Sequence, residues 1–367
     1  MQEGHIYLVA LSHFLRFGPR RLKLLFDFFG SWETAWKSSA QDLLQSGLKT
    51  QTVSLFLEFR NKTNPQELFE KIIERNIKLL FFEDDLYPPL LREIYDPPLL
   101  LYYRGTINEK TWSLPLAVVG TRKISSYGRQ VTEDLIKDLS SDGLTIISGL
   151  ALGVDCLAHE AALDSLGLTI AFLGSGVDEV YPRSNFNLAR RIIESGGALI
   201  SEYPPGTPPF KTNFPRRNRL IAGTTLGTLV IEAREKSGAL ITARYALEEG
   251  RDVFAVPGSI YSFNSAGPNN LLRAGARPIT SAADIKESLG LEAAKTRAAH
   301  QPRLPLTSEE LTIIELLGAE IKHANLLARL AKLDINVINS RLTIMEMKGL
   351  VKHLGGMNYV RARQPKQ

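Results

Sequence analysis

The chain contains few of the residues that build metal or redox sites. Its single cysteine, Cys156, excludes an internal disulfide and a cysteine-based metal cluster. The six histidines are scattered over 367 residues without the spacing of metal ligands. No apolar run approaches membrane-spanning length, and the first residues show no basic segment followed by an apolar one. We therefore expect a soluble cytoplasmic protein with no membrane segment, no metal and no cofactor.

Acidic residues are missing from one long stretch, residues 203–231. The cations in this stretch are Lys211, Arg216, Arg217 and Arg219. An aromatic ring, Phe214, lies among them. Cations neutralise phosphates and a ring offers a stacking surface to a base, so the stretch suits a nucleic-acid partner. The alternative is a solvated basic loop, because the whole chain is only weakly basic, with 44 Lys and Arg against 39 Asp and Glu.

The first 64 residues have the apolar spacing of helices, and we expect a separate helical domain there. A helix, a turn at Gly18-Pro19 and a second helix with Arg20, Arg21 and Lys23 resemble a helix-hairpin-helix or SAM-like unit. In such a unit the amides of the turn can meet a DNA phosphate. The other interpretation is a compact helical domain whose hairpin only packs.

Residues 65–289 are predicted to form an α/β domain, with residues 65–106 as its N-terminal extension. From Leu116 onward, short runs of Val, Ile and Leu alternate with amphipathic helices, which is typical of a Rossmann-like parallel sheet covered by helices on both faces. Loops that follow parallel strands meet at one sheet edge, where ligands bind. Five of the six such loops contain glycine. Because glycine lets backbone amides approach a phosphate, we predict a phosphate site at this edge, with Arg122 in its first loop.

The end of the chain is predicted to hold a linker over 290–304 and a winged helix over 305–367. The pattern there is three helices followed by a two-stranded hairpin. The helix expected over 336–348 offers only Arg341 and Lys348 as cations. A role in reading duplex DNA and a role in docking a protein both stay open.

Two sequence patterns resemble parts of catalytic sites. His159 follows Asp155 by one helical turn, and we interpret them as a helix-stabilising pair, since no nucleophile is marked beside them. Gly227-Thr228 with Glu232 resembles the Pro-Gly-Gly-x-Gly-Thr-x-x-Glu box of nucleoside-monophosphate phosphoribohydrolases. Here Thr-Thr-Leu replaces Pro-Gly-Gly and the glutamate is one residue further along. That enzyme class is the alternative function, with Glu232 as its catalyst.

Six motifs, in this order, resemble those of the DprA/Smf family of DNA-processing proteins. They are VGTRKISSYG (119–128), SGLALGVD (148–155), LGSGVDEVYP (173–182), FPRRNRLIAG (214–223), SGALITA (237–243) and VFAVPG (253–258). The resemblance covers residues 80–285, and the two flanking domains also fit it. It implies a protein without enzymatic activity that binds and protects single-stranded DNA entering during natural transformation. It also implies a homodimer that loads the RecA recombinase.

The resemblance further implies the residues that touch DNA. Arg122 and Lys211 would hold phosphates and Phe214 would contact a base. The basic segment after Phe214 would continue the pocket. The complete set predicted for DNA binding is Gly120, Thr121, Arg122, Ser148, Gly149, Lys211, Asn213, Phe214, Arg216, Arg217, Asn218 and Arg219.

Overall fold

The computed structural model describes residues 4–291, 307–318, 320–348 and 350–362. The chain divides into two compact units, Met1–Ala294 and Lys295–Gln367. Most of the predicted linker, residues 292–304, lies outside the described residues. The predicted fold class, an α/β domain with a helical N-terminus and a C-terminal winged helix, is confirmed.

The N-terminal part of the first unit is a cluster of six helices. They are α1 (His5–His13), α2 (Pro19–Phe29), α3 (Trp32–Lys37), α4 (Ala40–Gln45), α5 (Thr50–Asn61) and α6 (Pro65–Glu74). Gly30 takes a left-handed backbone conformation and ends α2, while the Ser31 hydroxyl accepts the Thr34 amide and starts α3. Buried side chains of these helices share one core with Phe81, Leu100 and Tyr102 of the neighbouring strands. The helical cluster therefore packs directly on the edge of the sheet.

The sheet has nine strands. They are β1 (Lys78–Phe81), β2 (Leu100–Gly105), β3 (Pro115–Val119), β4 (Thr145–Ser148), β5 (Thr169–Phe172), β6 (Ala198–Ser201), β7 (Gly227–Val230), β8 (Asp252–Ala255) and β9 (Arg277–Pro278). Their order is β1-β2-β6-β5-β4-β3-β7-β8-β9. Strands β3 to β9 pair in parallel, whereas β1 and β2 join the β6 edge as antiparallel strands.

Helices cover both faces of this sheet. They are α7 (Pro89–Arg92), α8 (Ser126–Ser141), α9 (Val154–Asp164), α10 (Phe186–Glu194), α11 (Asn213–Gly223), α12 (Gly238–Glu248), α13 (Ala266–Arg273) and α14 (Ala282–Ser288). The alternation of strand side chains divides the core. Ala117 and Val119 of β3 face the layer that contains Leu220 of α11, and Leu116 and Val118 face the layer of α8 and α9. Because strands β3 to β8 pair in parallel, their carboxyl ends all lie at one edge of the sheet.

The second unit contains α15 (Ser308–Leu317), β10 (Lys322–His323), α16 (Ala324–Ala331), α17 (Ile335–Met347), β11 (Val351–His353) and β12 (Asn358–Arg361). Its three strands are ordered β10-β12-β11. The core of the unit is formed by Ile313, Leu317, Leu327 and Leu342. Three helices and an antiparallel hairpin form a winged helix, with the short β10 added to the predicted two-stranded wing.

Candidate functional site

The basic stretch that the sequence suggested as a loop is mostly a helix. Lys211 is in the loop, and α11 begins two residues later at Asn213. Pro215 lies in its first turn, a position that proline favours because no helical hydrogen bond needs its missing N–H. Leu220 and Ile221 are fully buried and hold the helix to the sheet. The cations of this stretch therefore have fixed directions rather than those of a solvated loop.

Phe214 lies in a cleft at the carboxyl edge of the sheet. The guanidinium carbons of Arg122 and Arg217 are each 6.0 Å from the centre of its ring. The Tyr181 ring lies at 5.5 Å, and Tyr181 is 44% exposed. A Cβ atom added at Gly174 would come within 2.8 Å of the Phe214 ring. Glycine at this position therefore leaves the space that the ring occupies. The cleft thus presents two aromatic rings next to two cations.

Arg217 forms the wall of this cleft and is only 4% exposed. Its Nη1 donates to the carbonyl oxygen of Gly149 at 2.9 Å and also to that of Phe172. Burial lowers the pKa of Arg217 to about 10, an effect opposed by the nearby Asp155, so the side chain stays charged at neutral pH. A Cβ at Gly149 would lie 2.5 Å from this guanidinium. The glycine is needed for close packing of the arginine.

Arg219 and Asn218 also have structural partners, whereas the buried Asn213 Nδ2 has no hydrogen-bond partner among the described residues. Arg219 is buried and pairs with Glu202 and, at 3.7 Å, with Asp96. Asn218 accepts from Arg217 Nε and donates to the Gly238 carbonyl. Asn213 is buried in the first turn of α11. This revises the expectation for the segment, because Arg217, Arg219 and Asn218 have their polar groups engaged inside the protein.

In the glycine loops after β3 and β4, polar groups also form hydrogen bonds inside the protein. The Thr121 amide donates to the Glu232 carbonyl at 2.6 Å, and the Gly149 amide to the Asp155 carboxylate at 3.2 Å. The Ser148 hydroxyl donates to the Val118 carbonyl at 2.6 Å. A Cβ at Gly120 would lie 2.4 Å from Val154. These loops were expected to offer free amides to a phosphate. The structure revises that expectation, because the Thr121 and Gly149 amides and the Ser148 hydroxyl already donate inside the protein.

Three of the predicted cations stay accessible. Arg122, Lys211 and Arg216 are exposed, and no carboxylate in the described part of the chain pairs with them. Lys123 and Arg129, also exposed, extend the positive surface beside Arg122. Together with Phe214, these accessible groups can meet phosphates and a base. Of the twelve predicted residues, Arg122, Lys211 and Arg216 are exposed, and Phe214, Gly120 and Asn218 are half-buried.

Tyr181 is the residue of this site that sequence reasoning missed. It lies in the loop after β5, where sequence reasoning relied on glycine and overlooked the aromatic side chain. The available signal was its place between the carboxyl end of a parallel strand and the next helix. That place puts the ring at the same edge as Phe214.

Glu232, the candidate catalyst of the alternative enzyme, is buried beneath the first loop. Its carboxylate accepts from the Ser125 amide at 2.9 Å, from the Ser125 hydroxyl at 2.5 Å and from the Asn264 side-chain amide at 3.3 Å. A Cβ at Gly128 would collide with it at 2.4 Å. A carboxylate that is surrounded in this way orders the loop and the start of α8. It does not face a substrate cleft, so the enzyme alternative is not favoured.

The predicted pair between Asp155 and His159 is not formed. Asp155 accepts the Gly149 amide, and His159 Nδ1 lies 2.6 Å from the Thr169 hydroxyl. Both side chains are buried, and burial lowers the pKa of His159 to about 3. The pair prediction was wrong because tertiary contacts with the neighbouring loop and strand outweigh a contact along the helix.

The winged helix has few free cations on the helix expected to read DNA. Arg341 Nε pairs with Glu309 at 2.6 Å, and Lys348 Nζ pairs with Glu310 at 2.6 Å. The carboxylate of Glu310 also accepts the Thr307 amide, and these contacts lower its pKa. Both cations of α17 that the sequence identified are therefore neutralised within the unit, which weakens the case for contact with duplex phosphates.

Two further features are missing from residues 4–291 and from the described parts of 307–362. No helix there is long and apolar enough to span a bilayer. No group of three or more His, Cys, Asp or Glu side chains in these segments is arranged to hold a metal ion.

Comparison with known families matches both units. The family model described as DNA recombination-mediator protein A matches residues 78–290, and the model of the DprA winged helix domain matches residues 297–357. Protein Smf of Escherichia coli is 38% identical over 330 residues, which cover 88% of this chain and 87% of that protein. The DNA processing protein DprA of Streptococcus pneumoniae is 46% identical over 202 residues, or 55% of this chain and 71% of that protein.

Two solved structures are similar over the described fold. The X-ray structure of DprA from Streptococcus pneumoniae gives a TM-score of 0.68 at 37% identity, and covers 78% of this chain and 98% of that one. DNA processing protein A from Helicobacter pylori gives 0.52 at 32% identity, covering 58% of this chain and 95% of that one. The Helicobacter structure was described for its single-stranded DNA binding mode.

Proposed function

Because this chain belongs to the DprA/Smf family of DNA-processing proteins, we propose that it binds single-stranded DNA through the cleft around Phe214. The Helicobacter relative, which binds single-stranded DNA, has the same fold at 32% identity. The single observation that carries the proposal is the geometry of Phe214, a partly buried ring with Arg122 and Arg217 at 6.0 Å and Tyr181 at 5.5 Å.

The chemistry of the cleft suits a single strand better than a duplex. An aromatic ring stacks on a base whatever its sequence, but the bases of a duplex hide their faces from such a ring. Arg122 and Lys211 would neutralise phosphates on either side of the stacked base. Arg217 would act as a positioning residue. Its guanidinium donates to the carbonyl oxygens of Gly149 and Phe172 and so fixes the wall of the cleft beside Phe214.

The cellular role that we propose follows the family. The protein would protect DNA that enters during natural transformation, act as a cytoplasmic homodimer and load the RecA recombinase. The family description as a recombination mediator supports this role. We assign no residues to the dimer or to RecA. Sedimentation of the purified protein would test the dimer, and capture of purified RecA by the immobilised protein would test that partner.

The direct test is a binding titration with fluorescent oligo(dT) at several salt concentrations. Wild-type protein should bind, and Lys211→Ala and Arg122→Ala should each bind more weakly. Each should lower the log–log salt slope by roughly 0.7, the value for one phosphate contact with a single strand. Lys62→Ala is the matched control, since Lys62 is an exposed cation on the N-terminal helices. Equal losses in all three variants would contradict a localised site.

A further inference from the structure

A second, larger cleft lies between the N-terminal helices and the sheet edge. It has a volume of about 610 Å³. One side is the turn that joins α1 to α2, including Arg16, Arg20 and Arg21. The other side is the loop after β6 together with Arg216 and Arg219 of α11. All these elements belong to the same compact unit. We call this space the arginine cleft.

The charges in the arginine cleft do not balance. Five arginines line it, against the two carboxylates of Asp96 and Glu202. Both carboxylates pair with the buried Arg219. The other four arginines are exposed, and none of them pairs with a carboxylate among the residues that the structure describes. Among the described residues, the cleft therefore contains four arginines that form no ion pair, although Arg216 also acts electrostatically on Glu202.

Two of these arginines are held in place without being neutralised. The Arg20 guanidinium lies over the ring of Tyr95, 4.6 Å from its centre, and Tyr95 is 78% exposed. Arg21 Nη1 donates to the carbonyl oxygen of Arg16 at 2.6 Å. Both contacts leave donors of each planar fork available for a phosphate. Helix α2 starts just before them at Pro19, has no acidic residue in its first turn, and adds its positive end to the same space.

The arginine cleft and the Phe214 cleft lie on opposite sides of the first turn of α11. Phe214 and Arg216 are two residues apart, which turns their side chains by about 200° around the helix axis. Phe214 accordingly lines one cleft and Arg216 the other. Tyr203 lines the arginine cleft and its hydroxyl donates to the Asn213 carbonyl at 3.4 Å, so the turn is shared by both. A single DNA strand that leaves Phe214 reaches Arg216 by crossing the first turn of α11.

We propose that the arginine cleft binds the sugar-phosphate backbone of the same single strand, so that the DNA runs from Phe214 over α11 to Arg20 and Arg21. This inference rests on the proposed function and extends its site to the N-terminal helices. The cleft could in principle receive an acidic protein segment. A nucleic acid fits better, because the cleft lies across the first turn of α11 from an aromatic and basic site and has exposed Tyr95 beside its cations.

The test compares short and long oligonucleotides. A thymidine dinucleotide can occupy only the Phe214 cleft, whereas oligo(dT) of about 20 nucleotides can reach both clefts. The double variant Arg20→Ala/Arg21→Ala should bind the short oligonucleotide like the wild type. For the long one, the salt slope should fall by about 1.4 for two lost phosphate contacts, which corresponds to about 25-fold weaker binding at about 0.1 M salt. Arg216→Ala should show the same length dependence from the other side of the cleft.

The matched control is Lys49→Ala/Lys62→Ala, which removes two exposed cations of the same helical cluster outside the cleft. It should leave both affinities unchanged, and thermal melting should show that all variants fold. If the arginine variants behave like this control, the inference is wrong and an acidic protein becomes the better occupant. Equal weakening for both oligonucleotides also contradicts it. If the wild type binds neither oligonucleotide, the proposed function itself fails.

Discussion

Replacing Phe214 by alanine separates stacking from charge within the Phe214 cleft. The ring packs against Gly174 on one side, so we expect a base to stack on the part of the ring that faces away from Gly174. Stacking of one base on an aromatic ring contributes about 1–3 kcal/mol, which corresponds to roughly 5- to 150-fold in affinity. We expect Phe214→Ala to weaken binding of oligo(dT) by an amount in this range. The salt slope should hardly change, because no phosphate contact is lost.

Fluorescence anisotropy at three salt concentrations, together with thermal melting, would measure both effects. Phe214→Trp should restore most of the affinity because indole also stacks, although its larger ring must fit beside Tyr181. Phe28→Ala is the control, as Phe28 is a 48% exposed ring on α2 outside the cleft. Unchanged affinity in Phe214→Ala would refute the stacking role. A loss that only follows a lower melting temperature would show that Phe214 serves as a packing anchor.

Three substitutions of buried groups test the rest of the site. Glu232→Gln should leave oligo(dT) affinity within a few-fold, and release of adenine from AMP by the wild type that disappears in this variant would revive the enzyme alternative. Arg217→Met should lower the free energy of unfolding by about 3–5 kcal/mol in urea titrations, since it leaves Asp155 and two carbonyl groups buried without their cation; an unchanged midpoint would contradict its positioning role. His159 has a pKa lowered from 6.5 to about 3 by burial, so the unfolded state takes up its proton first and stability should fall as pH drops from about 7 towards about 3. The slope from this group is at most about 1.4 kcal/mol per pH unit, and His159→Gln should remove that part.

The order of elements and the fold class could be predicted from the sequence because they depend on local periodicity. Short apolar runs such as residues 116–119 are too continuous for a half-exposed strand, and they alternate with helical spacing. That pattern fits only a parallel sheet covered on both faces. Periodicity could not predict that β2 (Leu100–Gly105) pairs with β6 and β1 (Lys78–Phe81) with β2. Strand pairing depends on contacts between segments that are distant in sequence.

The identity of the cations was visible in the sequence, but their exposure was decided by the tertiary structure. Arg216, Arg217 and Arg219 lie close together in one stretch without acidic residues, and the sequence does not distinguish which of them are exposed. Helix α11 turns Arg216 to the surface, and it buries Arg217 against Gly149 and Arg219 against Glu202. Helical rotation of about 100° per residue is the physical reason.

The glycine motifs likewise had two meanings in the sequence, as phosphate-binding turns or as points of close packing. The folded chain uses Gly149 to admit Arg217 and Gly174 to admit Phe214. Which donors a loop leaves free depends on groups that are distant in sequence, such as Glu232 beneath Thr121. Sequence therefore determined the residues, the fold and the basic character of the site. Only the packing of distant segments decided which of those residues can reach a ligand.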